Sequence, residues 1–155
     1  MAVNPIPADY TGVTSYLIVR GAAKAIDYYG RAFGATELFR LPMGDRIGHA
    51  EIRIGGGVVM LADEMLDMGY KSPQALGGTP VSLMFYVPDV DAVYARAIAA
   101  GGKEVKPLQN QFYGDRSGTL TDPFGHVWTI ATHVEDVPAD EMDRRMKKAM
   151  QGNPA

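Results

Sequence analysis

GDRSGTLTDPFGHVWT, residues 114–129, sets the architecture of this chain, because an earlier stretch, GDRIGHAEIRIGGGVVM at residues 44–60, repeats its frame. Both open on GDRxG, at 44–48 and 114–118, and both close on a glycine and a short apolar run, VVMLA from Val58 and VWTIA from Val127. The parallel continues upstream. SYLIV at 15–19 leads into AAKAIDYYGRAFGA, and SLMFYV at 82–87 leads into DVDAVYARAIAAGG. The chain therefore reads as two copies of one unit.

Alternation and punctuation give each unit its elements. Residues 14–19 are β-branched and aromatic, placing Val13, Leu17 and Val19 on one face and Thr14, Tyr16 and Ile18 on the other. A helix over 22–33 puts Ala22, Ala25, Ile26, Tyr29 and Phe33 on one stripe and stops at Gly34. A short strand near 37–41 turns through 42–45 into a strand at 49–54, where Ala50, Ile52 and Ile54 alternate with His49, Glu51 and Arg53. Gly55, Gly56 and Gly57 turn into a fourth strand at 58–63, so the unit is βαβββ. The second repeats it with a strand at 81–87, a helix from an Asp89 cap to Ala100, a strand near Glu104 and the 114–129 stretch with its final strand. We expect an arm at 1–11, modules at 12–63 and 81–133, a Gly-, Pro- and Met-rich linker at 64–80, and a tail at 134–155. In the tail a third helix, opened by Pro138, spaces Met142, Met146 and Met150 by one turn; this stripe suits packing onto the body or a second subunit.

Composition sets the outer bounds. With 155 residues and 46% hydrophobic content the chain can bury a core, and it contains no cysteine for disulfides, thiolate nucleophiles or thiolate-bound metals. A net charge of −3, without a basic block outside the last helix, disfavours nucleic acid as a partner. No basic leader, and no apolar run of membrane-spanning length, is apparent, so we expect a soluble cytoplasmic protein.

Two tandem βαβββ units, with LIVRGAAKAIDYYGRAFGA in the first and GDRSGTLTDPFGHVW in the second, resemble the vicinal-oxygen-chelate superfamily of glyoxalase I, extradiol dioxygenases and bleomycin-resistance proteins. The likeness spans about residues 12–133 and is nearest to the PhnB-like branch. It implies an α+β fold in which the modules form a curved sheet cup with helices outside, and it implies a homodimer. It also implies four metal-ligand positions, one on each of four strands, which fall on Thr14, Met60, Ser82 and Thr129. Hydroxyl and thioether groups are a poor set for Zn, Ni, Mn or Mg. We therefore expect no metal at the inherited site and no cofactor. No glycine-rich loop follows a strand to hold S-adenosylmethionine.

The lining that alternation leaves is Thr14, Tyr16 and Ile18, then Val58, Met60 and Ala62, then Ser82, Met84 and Tyr86, then Val127 and Thr129. Aromatic, methionine and hydroxyl groups together suit a small organic molecule. Tyr113 and Arg116, in the loop that the resemblance places over the opening, are candidates to close on it; alternatively Asp115 and Arg116 pin a turn, as Asp45 and Arg46 do. His49 and Glu51 are the candidate acid/base pair, unless with Arg53 they form a solvated face. His126 is expected to cap its turn and His133 to lie at the surface; His49, Glu51 and His126 are also the candidates for a displaced metal site. Two functions follow as expectations. One is a metal-free small-molecule-binding protein of the bleomycin-resistance type; the other is a lyase or isomerase with a non-standard or displaced metal site near His49, Glu51 and Tyr16.

Overall fold

Where the sequence repeats, the structure repeats its strand order. The computed structural model describes residues 3–151, with β1 (Ser15–Val19), α1 (Ala22–Phe33), β2 (Thr36–Met43), β3 (Arg46–Ile54) and β4 (Gly57–Asp63) in the first module. The second contains β5 (Ser82–Tyr86), α2 (Val90–Ala99), β6 (Lys103–Asn110), β7 (Asp115–Thr121) and β8 (Val127–His133), followed by α3 (Ala139–Gln151). Between the modules lie a 3-10 turn, Leu66–Met68, and one helical turn, Pro73–Leu76. Each sheet has four strands, in the orders β1-β4-β3-β2 and β5-β8-β7-β6. The first and last strands of each unit pair in parallel and the other pairs are antiparallel, so the fold is α+β, consistent with two tandem βαβββ modules.

Local chemistry explains the helix ends. Gly21, at φ 100, offers no side chain to cap α1, and Asp63 at the end of β4 supplies it, accepting from Gly21 N and Ala22 N at 3.0 and 2.8 Å and from Ile47 N at 2.7 Å. Gly34, at φ 70, ends the helix: its N–H donates to the Gly30 carbonyl, and the Ala35 N–H donates to the Tyr29 carbonyl. Asp89 caps α2 through Ala92 N, while Thr132 on β8 accepts from Val90 N and returns its own proton to the Val87 carbonyl.

The core lies between the sheets and the helices, and the two modules share it. Phe33 of α1 meets Trp128 and Phe85 of the second sheet at ring distances of 5.0 and 5.1 Å, and Tyr29 meets Trp128 at 5.5 Å. Rings of this size each remove roughly 150–250 Å2 from water, on the order of 4–6 kcal/mol before conformational entropy is charged. Two segments distant along the chain, DPFGHVW and AIDYYGRAF, meet here. Asp122 of DPFGHVW is 4% exposed; its Oδ1 accepts from Phe124 N and His126 N, and its Oδ2 accepts from Tyr29 Oη at 2.7 Å and Trp128 Nε1 at 2.8 Å. Burial, with Asp122 alongside, keeps the Tyr29 phenol protonated far above its ordinary range. His126 Nε2 lies 3.0 Å from the Ile18 carbonyl, and Tyr28 Oη donates to the Ala97 carbonyl at 3.2 Å. DPFGHVW and AIDYYGRAF are thus two halves of a clamp between modules.

Two expectations change. Val13, placed on the core face by alternation, is fully exposed, because β1 begins only at Ser15. Val58, read as cup lining, is buried together with Val59. The tail helix forms over Ala139–Gln151, and its Met146 and Met150 are exposed, next to a hollow lined by Phe112, Ala149 and both methionines.

Candidate functional site

Each sheet buries its helix side and leaves its other side open, and the sequence-predicted site residues fall into two groups on those open sides. On the first sheet Tyr16 pairs with Met60, and Met60 pairs with Glu51, in register across β1, β4 and β3. Strand alternation puts His49 on the same side as Glu51. Tyr16 Oη lies 2.7 Å from His49 Nδ1, and His49 Nε2 lies 3.1 Å from Glu51 Oε1. Tyr10 of the N-terminal arm covers Glu51; its hydroxyl is buried outside hydrogen-bonding geometry, and its pKa is pushed up to about 12, chiefly by the neighbouring Glu51. Tyr10 and His49 together hold the Glu51 carboxyl below its ordinary range. Asp9 anchors the same arm on Arg53 at 3.2 Å.

On the second sheet a concavity of about 510 Å3 is lined by Met84, Tyr113 and Thr129 together with Lys106, Gln109 and Gln111. Ser117 and Thr119 complete its floor, and Thr119 Oγ1 lies 2.9 Å from Thr129 Oγ1. Of the expected residues, Tyr86 sits beside Met84 on β5 and donates to Asp115 Oδ2 at 2.7 Å, which raises the Tyr86 pKa. Arg116 points to the helix side, bound by its Nε and Nη2 to Asp91 at 2.8 and 2.6 Å. Ser82 is exposed at the start of β5, and Thr14 precedes β1. His133 contacts Asp115 at 2.8 Å and Asp136 at 2.9 Å, and Asp115 is the larger cause of its raised pKa.

Sequence reasoning missed Lys106, Gln109 and Gln111, because register shifts between Glu104 and Lys106 and between Lys106 and Gln109 break the period of two that would have placed them. It also missed that Asp122 accepts from Tyr29 and Asp115 from Tyr86, partners 93 and 29 positions away along the chain.

The inherited metal positions do not fit an ion. Thr14, Ser82 and Thr129 bring hydroxyls, Met60 brings a thioether, and Thr129 is engaged with Thr119. Among the described residues no three His, Asp or Glu side chains gather as metal ligands, and His126 is committed to Ile18. No helix among them is long and apolar enough to cross a membrane.

Residues 9–130 match the family described as the Glyoxalase/Bleomycin resistance protein/Dioxygenase superfamily. An uncharacterised protein of Mycobacterium bovis is 44% identical over 156 residues, covering 98% of this chain and 100% of that protein. The crystal structure of TioX from Micromonospora sp. ML1 shares 30% identity at a TM-score of 0.63, over 83% of this chain and 100% of TioX. The PhnB protein from Bacillus cereus shares the fold at a TM-score of 0.63, with 19% identity over 79% of this chain and 99% of its own. The repeated βαβββ units, the clamp between them and the match over both modules have one conclusion: the chain belongs to the glyoxalase/bleomycin resistance protein/dioxygenase superfamily.

Proposed function

We propose that this is a cytoplasmic, homodimeric binding protein of the glyoxalase/bleomycin-resistance type, nearest to its PhnB-like members, that holds a small organic molecule against the open side of a sheet without a metal at the inherited positions. The observation that carries this reading is the concavity on the second sheet. Met84 and Tyr113 offer apolar and aromatic surface, Gln109, Gln111, Ser117 and Thr119 offer hydrogen bonds, and Lys106 is its single charged lining residue. That mixture favours an aromatic compound carrying an acidic group.

The test uses 1-anilinonaphthalene-8-sulfonate, an aromatic anion whose fluorescence rises on binding. Met84, about half exposed, has room for a larger side chain, so Met84→Trp should leave the melting temperature within a few degrees and weaken probe binding at least about tenfold. A stable variant that binds the probe as the parent does would move the site elsewhere. Dimerisation is supported by the apolar surface on β2, where Leu38, Phe39, Leu41 and Met43 are all exposed. Sedimentation at micromolar concentration should give twice the chain mass, and a monomer there would remove the dimer from the reading.

The lyase or isomerase alternative is favoured by one observation, the linked Tyr16, His49 and Glu51 side chains on the first sheet.

A further inference from the structure

The Tyr16, His49 and Glu51 chain lies apart from the concavity, and its hydrogens follow from its acceptors. Glu51 is held as a carboxylate, so His49 Nε2 must donate to it across 3.1 Å. A neutral imidazole then presents Nδ1 as an acceptor, and the Tyr16 hydroxyl turns its proton inward along the 2.7 Å contact. In that state Tyr16 Oη offers only lone pairs to a ligand. Adding one proton from water at Nδ1 reverses the contact: Nδ1–H donates to Tyr16 Oη, and the hydroxyl proton turns outward. No other bond changes, and Glu51 remains the counter-charge.

The surroundings specify what the outward proton would meet. His49 and Glu51 keep about a quarter of their side-chain surface open, whereas Tyr16 is 46% exposed, so Tyr16 is the most accessible member of the chain. Phe39 of β2 stands 6.1 Å from the His49 ring, Met60 lies between Tyr16 and Glu51, and Tyr70 of the inter-module segment lies close enough to raise the Tyr16 pKa, after burial as the larger cause. The charged and titratable groups around His49 are therefore Tyr16 from β1, Glu51 and the Asp9-paired Arg53 from β3, Tyr10 from the arm and Tyr70 from the inter-module segment. The facing residues of β2 and β4, Phe39, Leu41 and Met60, bring no charge. A single outward O–H matches an oxyanion borne on one atom, whereas a carboxylate or phosphate calls for a fork of donors.

We propose that Tyr16 Oη is the contact atom of a second binding site, for the oxyanion of an aromatic phenolate or enolate, and that occupation of this site places one proton on the Tyr16, His49 and Glu51 chain. The site rests on the reading of the protein as a binder of organic ligands and extends it to the first sheet. It also gives the superfamily's lyase or isomerase chemistry a donor for a developing enolate that needs no metal.

4-Nitrophenol tests this directly, because its yellow band reports the phenolate. At pH 8 the protein should bind it with the band retained, and calorimetry in two buffers of different ionisation heat should read uptake of about one proton per site. Affinity should rise as pH falls toward the pKa of 4-nitrophenol itself and level off there, because the free ligand then carries the proton that the complex needs. Tyr16→Phe should weaken binding by about tenfold and abolish the uptake. Glu51→Gln should also lose the uptake, with the melting curve confirming that each variant is folded. Saturating 1-anilinonaphthalene-8-sulfonate should not displace the phenolate. Loss of the yellow band would put the proton on the ligand and overturn the proposal. So would the absence of binding at millimolar concentration, or parent-like binding by Tyr16→Phe. Displacement by the sulfonate would move the phenolate to the concavity, overturning this site while leaving the binding reading standing.

Discussion

Asp122→Ala is expected to remove about 3–5 kcal/mol of folding stability, a large share of the roughly 5–15 kcal/mol that a domain possesses. The carboxylate is buried and satisfies four donors at once: Tyr29 Oη, Trp128 Nε1, and the backbone N–H groups of Phe124 and His126. Alanine leaves all four without an acceptor where water does not reach, since Tyr29 is fully buried and Trp128 nearly so. Asp122→Asn should cost less, because its remaining carbonyl oxygen still serves one pair of donors while its amide faces the other. Urea denaturation of the three proteins reads this order. A loss below about 1 kcal/mol for Asp122→Ala would show that the clamp between modules is not what holds them.

Gly114→Ala is expected to cost about 2–5 kcal/mol, and Gly44→Ala, at the equivalent place in the other copy of GDRxG, only about 1–2 kcal/mol. Both glycines have positive φ, 100 and 63, so both substitutions strain the backbone. A methyl on Gly114 would in addition run into the Glu135 carbonyl group and Val137, whereas one on Gly44 meets nothing within 4 Å. Gly114 also accepts from Val134 N and Glu135 N, so it is the seat of the segment leading to α3. Limited proteolysis should therefore cut that segment faster in Gly114→Ala than in Gly44→Ala. Equal losses of stability in the two variants would reduce the role of Gly114 to that of an ordinary turn.

These two positions show how far the sequence could be read. The repetition of GDRxG revealed the duplication correctly, yet the copies do different work: Asp115 is buried beneath Tyr86 and His133, and Asp45 lies in an exposed turn. Nothing local distinguishes them, because the burial of Asp115 is decided by strands distant along the chain. Helix α1 was legible to its last residue, since an apolar stripe and a following glycine are local signals. The outer strands β2 and β6 were legible only as short pieces. They are almost wholly exposed and carry register shifts, so no face alternates. Half of the candidate site shares that limit. Alternation put His49 and Glu51 on one face, and the bond to Tyr16 follows from strand register, but the polar floor of the second-sheet concavity sits behind the irregular β6.

The clamp also dictates an order of events during synthesis. Tyr29 and Asp122 are 93 positions apart, and Trp128, which covers Phe33, comes later still. A chain elongating at roughly 5–20 residues per second therefore carries the aromatic face of α1 uncovered for something on the order of ten seconds before its cover exists. The first module cannot complete its core on the ribosome, and closing so long a loop is an entropic cost met only at the end. For that interval the nascent protein is a natural client for whatever in the cell shields exposed aromatic surface. A truncation before residue 122 should leave a species that aggregates rather than an independent half.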